Sequence, residues 1–423
     1  MDWQLVVAGA GAAGLLAAAR AAERGVRTLL LEKNRRPGVK ILMSGGARCN
    51  LTQATDRGGI IREFGAQGNF LHSALAALAP QDLVDWLESE GVATKVEETG
   101  KVFPVSDRAS DVLDALVRRL ARSGCTLALD EPLVDVELSA EGGFRLTTSK
   151  RSLHAAKLLV TTGGQSYPGC GTTGDGYRWA ARLGHAIVPP RPALTPITTD
   201  AAWVRTLQGV TVADVGVAVV ESADHRANDY VVGRPSAVRP FAERRGSFLF
   251  THFGLSGPAV LDVSRVVSGH AQPRDLVLRC DFLPAMAAPA LDDLLCREAA
   301  AAGGRQIAGL LANQLPRRLG EALLAEADLS SERRAAELSR AERARWVAAI
   351  KGSAIAVSGT RGFKKAEVTA GGVSLDEVDS HTMKSRLVPN LYLAGEVLDL
   401  DGPIGGFNFQ AAFSTGWLAA ESV

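Results

Sequence analysis

Gly9-Ala10-Gly11-Ala12-Ala13-Gly14 follows the apolar run Leu5-Val6-Val7-Ala8 and opens an alanine-rich stretch that continues to residue 23. The run has the length and composition of a buried strand, and the stretch that of a helix. A second apolar run, residues 26–31, ends at Glu32. Strand, glycine turn, helix, strand and terminal acid, in that order, make a dinucleotide-binding unit. Gly9 permits the tight turn, Gly11 lets the main chain approach a pyrophosphate, and Gly14 lets helix and strand pack closely. The first turn of the helix, with Ala12 and Ala13, offers unpaired N–H groups and a positive dipole end to the phosphates. Glu32 stands 18 positions beyond Gly14, close to the ~20 expected of a carboxylate on the ribose hydroxyls. A carboxylate there would repel a 2′-phosphate.

The rest of the chain decides between FAD and NAD. Gly169-Cys170-Gly171-Thr172-Thr173-Gly174 repeats the glycine spacing but follows Pro168 rather than a strand, and no acid lies at the expected distance beyond it. It reads as a loop before a helix at 177–183, so no second nucleotide unit is expected. The chain also lacks Cys-x-x-Cys, which argues against a disulfide reductase. Leu158-Leu159-Val160-Thr161-Thr162-Gly163-Gly164 and Asn390-Leu391-Tyr392-Leu393-Ala394-Gly395-Glu396 are strands that end in glycine. The second runs on through Gly405-Gly406-Phe407-Asn408 into an apolar helix at 409–420. A glycine pair before a helix presents N–H groups at a positive dipole end, which suits the edge of an isoalloxazine that gains negative charge on reduction.

Further segments complete the pattern: residues 38–52 (Gly38-Val39-Lys40-Ile41-Leu42-Met43-Ser44-Gly45-Gly46-Ala47-Arg48-Cys49-Asn50-Leu51-Thr52), Gln165-Ser166-Tyr167-Pro168, Phe250-Thr251-His252-Phe253-Gly254-Leu255-Ser256-Gly257-Pro258 and Val368-Thr369-Ala370-Gly371-Gly372-Val373. Together they make the chain resemble the BaiN/YhiN-like family of bacterial NAD(P)/FAD-dependent oxidoreductases. Ala47 stands where that family usually has glycine, and Gln53 where it usually has asparagine. The resemblance implies bound FAD and places Lys33, Lys40, Ser44, Gly45, Gly46, Arg48, Cys49, Asn50, Thr162, Gly163, Gly164, Gly395, Glu396 and Gly405 to Asn408 beside it, with the main chain near Val134 passing the adenine. Lys40 is the member of the basic cluster Arg35, Arg36, Lys40 read as a pyrophosphate contact. Gly405, Gly406 and Asn408 are the candidates for stabilising reduced flavin.

The fingerprint lies near residue 10 and the flavin-edge motif near residue 406, and both must meet at one cofactor. The FAD domain is therefore discontinuous. The expected fold is α/β: a Rossmann-like, glutathione-reductase-type FAD domain (residues 1–190 and 354–423), an inserted β-barrel-like domain (191–284) and a small helical bundle (285–353). The prolines at 189, 190, 192 and 196 mark the first boundary. Short β runs follow, then Ala-, Leu-, Arg- and Glu-rich helical stretches at 291–302 and 331–348. Residues 81–90 and 109–123 read as amphipathic helices.

The 423 residues carry 47 basic and 46 acidic side chains, net +1, which gives no sign of a nucleic-acid partner. No apolar stretch is long enough for a membrane helix, and Asp2 spoils a signal peptide. A cytoplasmic protein is expected. Five cysteines without paired spacing fit a reducing compartment, and no metal-ligand pattern is present. Cys49 reads as a packed thiol.

One known activity of the resembled family is the reduction of unsaturated bonds in oxo-bile acids. The expected function is reduction of an enone-like C=C bond of a small molecule, with NAD(P)H as transient donor or electrons from a partner. His252 and Tyr167 are the candidate proton donors. The other classes left open are a flavin-containing RNA-modification or RNA-binding factor and a flavoprotein without turnover.

Overall fold

The computed structural model describes residues 1–222, 239–301 and 304–423. They form two compact units, Met1–Pro192 with Phe363–Val423, and Ala193–Gly362.

In the first unit, Trp3–Ala8 lies between Thr28–Leu31 and Ser152–Val160, parallel to both, and Thr126–Ala128 extends the sheet beyond Thr28–Leu31. Leu5, Val6, Val7, Leu29 and Leu30 are fully buried, as strands covered on both faces require. The nine-residue strand Ser152–Val160 forks along one edge. Its first half pairs antiparallel with Phe144–Thr148, and its last residues pair parallel with Leu391–Leu393. Segments distant in sequence thus end side by side, and their C-terminal loops share one edge of the sheet. Helix Ala12–Glu23 packs against helix Phe407–Ser422. Arg20 donates to Glu421 (2.6 Å) and lies over the Trp417 ring.

The second strand starts at Thr28 rather than 26, because Val26 N–H still closes the preceding helix on Ala21 O. The amphipathic helices are Pro80–Ser89 and Ala109–Arg122. The Gly169–Gly174 segment is a loop before helix Asp175–Arg182, with no strand leading into it.

The second unit holds an antiparallel sheet in the order Ser353–Ala356, Leu276–Asp281, Thr211–Glu221, Ala242–Thr251, Gly254–Ser256, Ile197–Thr198, Gly359–Thr360. One core joins this sheet to helices Ala288–Ala301, Arg317–Glu326 and Arg340–Gly352. Phe248, Phe250 and Phe282 form its aromatic centre, with ring centroids 5.0–6.1 Å apart. Residues 353–360 complete the sheet, so this unit extends to Gly362, past the return expected at 354. The helix read at 331–348 begins only at Arg340. Ser339 and Glu342 cap each other's main chain there, a capping box that ends the preceding loop. Among the described residues, no helix is long and apolar enough to cross a membrane.

Candidate functional site in the first unit

The loops after Trp3–Ala8, Ser152–Val160 and Leu391–Leu393 meet at the C-terminal ends of parallel strands, where open α/β sheets bind ligands. Helix Ala12–Glu23 starts there, and no side chain caps it. A Cβ on Gly14 would stand 1.9 Å from Gly9 O, so helix and turn touch main chain to main chain, whereas a Cβ on Gly11 would meet nothing within 4 Å. The open helix end beside Gly11 is a place for a diphosphate.

Glu32 is buried, and its carboxylate accepts from Ala10 N–H, Asn34 N–H and Asn34 Nδ2, each at 2.8 Å. A carboxylate has about four acceptor positions, so room for a ribose hydroxyl remains. Lys33 is drawn to Thr173 and Asp175 (2.6 Å each) and ties the glycine-rich loop 169–174 to the end of the second strand.

Lys40 donates to Ser166 Oγ (2.7 Å) and pairs with Glu396. Ser166 Oγ donates to Glu396 (2.8 Å), and Thr369 N–H donates to the same carboxylate oxygen (3.0 Å). Thr369 Oγ1 in turn accepts from Gln165 and Ser166 N–H. This network joins loop 163–167, strand Val368–Val373 and the Gly395-Glu396 turn. Glu396, Gly395 and Asn408 also line a small cleft with Leu400, Ala411 and Ala412.

Loop 44–52 is fastened to the other side of the site. The Asn50 amide, oriented by its partners, accepts from Gly406 N–H (3.0 Å) and donates to Thr52 O (3.1 Å). Thr52 Oγ1 bonds Gln410 (2.6 Å). Gly406 has φ 93°, and a Cβ there would lie 2.5 Å from Thr52 O, so only glycine fits this crossing. Gly45 and Gly46 lie in the same loop, and Ser44 Oγ donates to Ile41 O. Ala47 adopts φ 67° where the resembled family usually has glycine, and Cys49 adopts φ 63°. Burial pushes the Cys49 thiol up to about 12, so the reactive thiolate is scarce. Arg48 lies 4.0 Å over the Phe103 ring and is paired with Glu97 (2.6 Å); these contacts hold the loop. The Gln53 amide donates to Thr99 O.

Several expected contacts carry internal partners. Asn408 accepts from Gly402 N–H (2.8 Å) and donates to Gly402 and Pro403 carbonyls, so its amide shapes the turn that carries Gly405. Val134 sits at an irregularity between the Leu133–Thr148 and Asp135–Thr147 pairs, and its carbonyl accepts from Trp179. Thr162, Gly163 and Gly164 form the loop above Ser152–Val160. Tyr167 follows them with φ 52°, a strained value for a bulky residue. His252 is exposed at a hairpin tip in the second unit, edge-on to Phe253.

Sequence reasoning passed over Ser166, Thr369 and Gln410, which are buried and bonded. Their signals were single polar residues inside motifs already explained by glycines.

The residues present fit FAD: an uncapped helix start open to a diphosphate, a buried acid with spare acceptor capacity, and glycine turns gathered at one sheet edge. A family model described as the HI0933-like protein Rossmann domain matches residues 3–422. The chain is 34% identical to a ribosomal RNA dihydrouridine synthase of Escherichia coli, over 99% of this chain and 97% of that protein. It is 30% identical to a 3-dehydro-bile acid delta(4,6)-reductase of Clostridium scindens, over 98% of each. A 3-ketosteroid delta1-dehydrogenase from Sterolibacterium denitrificans shares the fold, with a TM-score of 0.50, 15% identity, and coverage of 100% of this chain and 99% of that one. The chain belongs to the HI0933-like family of Rossmann-type flavoprotein oxidoreductases.

Proposed function

We propose that the protein is an FAD-dependent reductase that adds a hydride and a proton across a C=C bond conjugated to a carbonyl, and that its substrate is a uracil ring in ribosomal RNA. The end-to-end similarity to a ribosomal RNA dihydrouridine synthase carries the reading. The chemistry is that expected for an enone: the uracil C5=C6 bond is conjugated to the C4 carbonyl, so a hydride at C6 and a proton at C5 complete the reduction. Bound FAD, with NAD(P)H as the donor, would supply the hydride.

A near-neutral net charge argued against RNA at the level of composition. RNA contact needs only a local platform, however, since single-stranded bases stack on aromatic rings and guanidinium planes. The second unit offers one. The Arg361 guanidinium lies 4.5 Å from the Phe253 ring centroid, and the exposed His252 flanks the same ring. On this reading His252 belongs to RNA binding rather than to proton transfer.

A small carbonyl-conjugated substrate is the second reading, favoured by the bile acid reductase similarity. One experiment separates the two. The holoprotein is bleached anaerobically with NADH or NADPH and offered ribosomal RNA transcript or a 4-en-3-one steroid. Dihydrouridine detected by mass spectrometry supports the first reading. Consumption of the steroid alone supports the second. Reduced flavin that neither acceptor reoxidises refutes both, and flavin bleached by neither nucleotide refutes the donor.

A further inference from the structure

We propose that Lys40 and Glu396 act on the cofactor as one neutral unit: Lys40 cancels the charge of Glu396, so that this carboxylate can accept a hydroxyl of FAD without repelling the flavin once reduction makes it anionic. The assignment rests on FAD binding at this site and on neither reading of the substrate.

A carboxylate is out of keeping with its surroundings here. The helices that start at this sheet edge, Ala12–Glu23 and Phe407–Ser422, have no side-chain cap, and such ends favour negative charge. Glu396 lines the small cleft beside the second of them, with Gly395 and Asn408. Its Oε1 accepts from Ser166 Oγ (2.8 Å) and Thr369 N–H (3.0 Å), and its Oε2 from Lys40 Nζ (2.5 Å). About one of its four acceptor positions is left, enough for a single hydroxyl.

Lys40 is placed as firmly as its partner. Its Nζ donates to Ser166 Oγ (2.7 Å) as well as to Glu396. The fully buried Ser166 accepts from the ammonium and donates to the carboxylate, which closes a ring of three side chains. Gly38 N–H donates to Ala10 O (2.8 Å) and ties the short helix Val39–Met43 to the glycine turn of the fingerprint. Two of the three ammonium donors are used, and among the described residues the third has no partner.

The side chains of Lys40 and Glu396 are only 25% and 18% exposed, so salt screens the pair weakly. Removing one member of such a pair leaves the other charge uncompensated, whereas removing both can be nearly neutral. Without Lys40, Glu396 would oppose the negative charge that reduction adds. At an effective dielectric of about 20, a unit charge roughly 6–12 Å away changes an equilibrium about 10- to 100-fold.

The test is the midpoint potential of bound FAD, read by equilibration with a reference dye and with no acceptor present. Lys40→Met should lower it, with reduced FAD bound about 10- to 100-fold more weakly relative to oxidised FAD than in wild type. Glu396→Gln should raise it, and the double variant should return it to the wild-type value. Lys40→Arg, which keeps the charge, should stay near wild type. An unmoved potential in Lys40→Met, or a double variant as low as Lys40→Met, overturns the pairing. Should Lys40→Met hold no FAD, fluorescence titration of the double variant decides: recovered binding supports the neutral unit, and continued loss overturns it. Because no substrate enters, failure here leaves the RNA and steroid readings standing, and failure of both acceptors in turnover leaves the neutral unit standing.

Discussion

Alanine at Gly11 and at Gly14 should separate cofactor binding from folding. Gly11 has φ −84° and ψ −165°, extended backbone open to any residue, and its new methyl would meet no protein atom within 4 Å. A Gly→Ala change at a compatible position stabilises by about 0.4–1 kcal/mol through the unfolded chain, so the apoprotein should melt no lower than wild type. The methyl would, however, occupy the space assigned to the diphosphate. Losing one main-chain hydrogen bond to a charged oxygen costs roughly 1.5–3 kcal/mol, or 10- to 150-fold in Kd. Gly14 behaves oppositely. Its methyl would lie 1.9 Å from Gly9 O and 2.6 Å from Thr161 Oγ1, so the helix must retreat by about 1 Å. Overpacking of that kind costs about 3 kcal/mol, of which helix propensity returns about 1. The Gly14→Ala apoprotein should therefore lose roughly 2 kcal/mol. Denaturant unfolding of the apoproteins and FAD titration by fluorescence quenching give both quantities. A Gly11→Ala protein that binds FAD with wild-type affinity would show that the diphosphate does not pass this helix end.

Asn50→Ala should cost about 1–3 kcal/mol by leaving Gly406 N–H without its acceptor, read as a lower melting temperature together with an altered flavin absorption band. His185 is buried and bonded to Ser385 Oγ (2.9 Å), with Glu377 3.2 Å away. Burial lowers its pKa despite Glu377. The stability it lends is complete above about pH 6.5 and is lost as pH falls through the lower folded value. His185→Gln should flatten the acid side of the melting curve, and an unchanged acid side would contradict the assignment. Phe253→Ala and Arg361→Ala should each weaken RNA retention by about 1–3 kcal/mol, the worth of one stacked base, in filter binding at fixed salt, without changing steroid turnover.

The fingerprint was readable because each glycine answers a local steric demand, and residues 5–32 contain the whole unit. The partners of Ser152–Val160 were less readable. That strand serves an antiparallel hairpin and a distant parallel strand in turn, and its apolar run looks the same for both. Arg48 reads as a structural or cofactor contact and Asn408 as a flavin-edge residue; the internal partners of Arg48 (Phe103, Glu97 and Asp107) and of Asn408 (its own loop) were not legible. Hydrogen-bond closure of that kind has no signature in spacing. The start at Arg340 was present in the sequence as Ser339 with Glu342, but the continuous Ala- and Arg-rich composition hid it.

The fork in Ser152–Val160 sets a timetable for biogenesis. About 230 residues separate Val160 from Leu391, which at roughly 5–20 residues per second is on the order of 10–50 s of synthesis. Throughout that interval the nascent sheet carries an open edge at Leu158 to Val160, and helix Ala12–Glu23 lacks the helix that covers it. The second unit is one uninterrupted segment and can fold while the ribosome is still at work. Cofactor capture therefore waits for residues 391–408, and the edge at Leu158 to Val160 stays open until that segment is made.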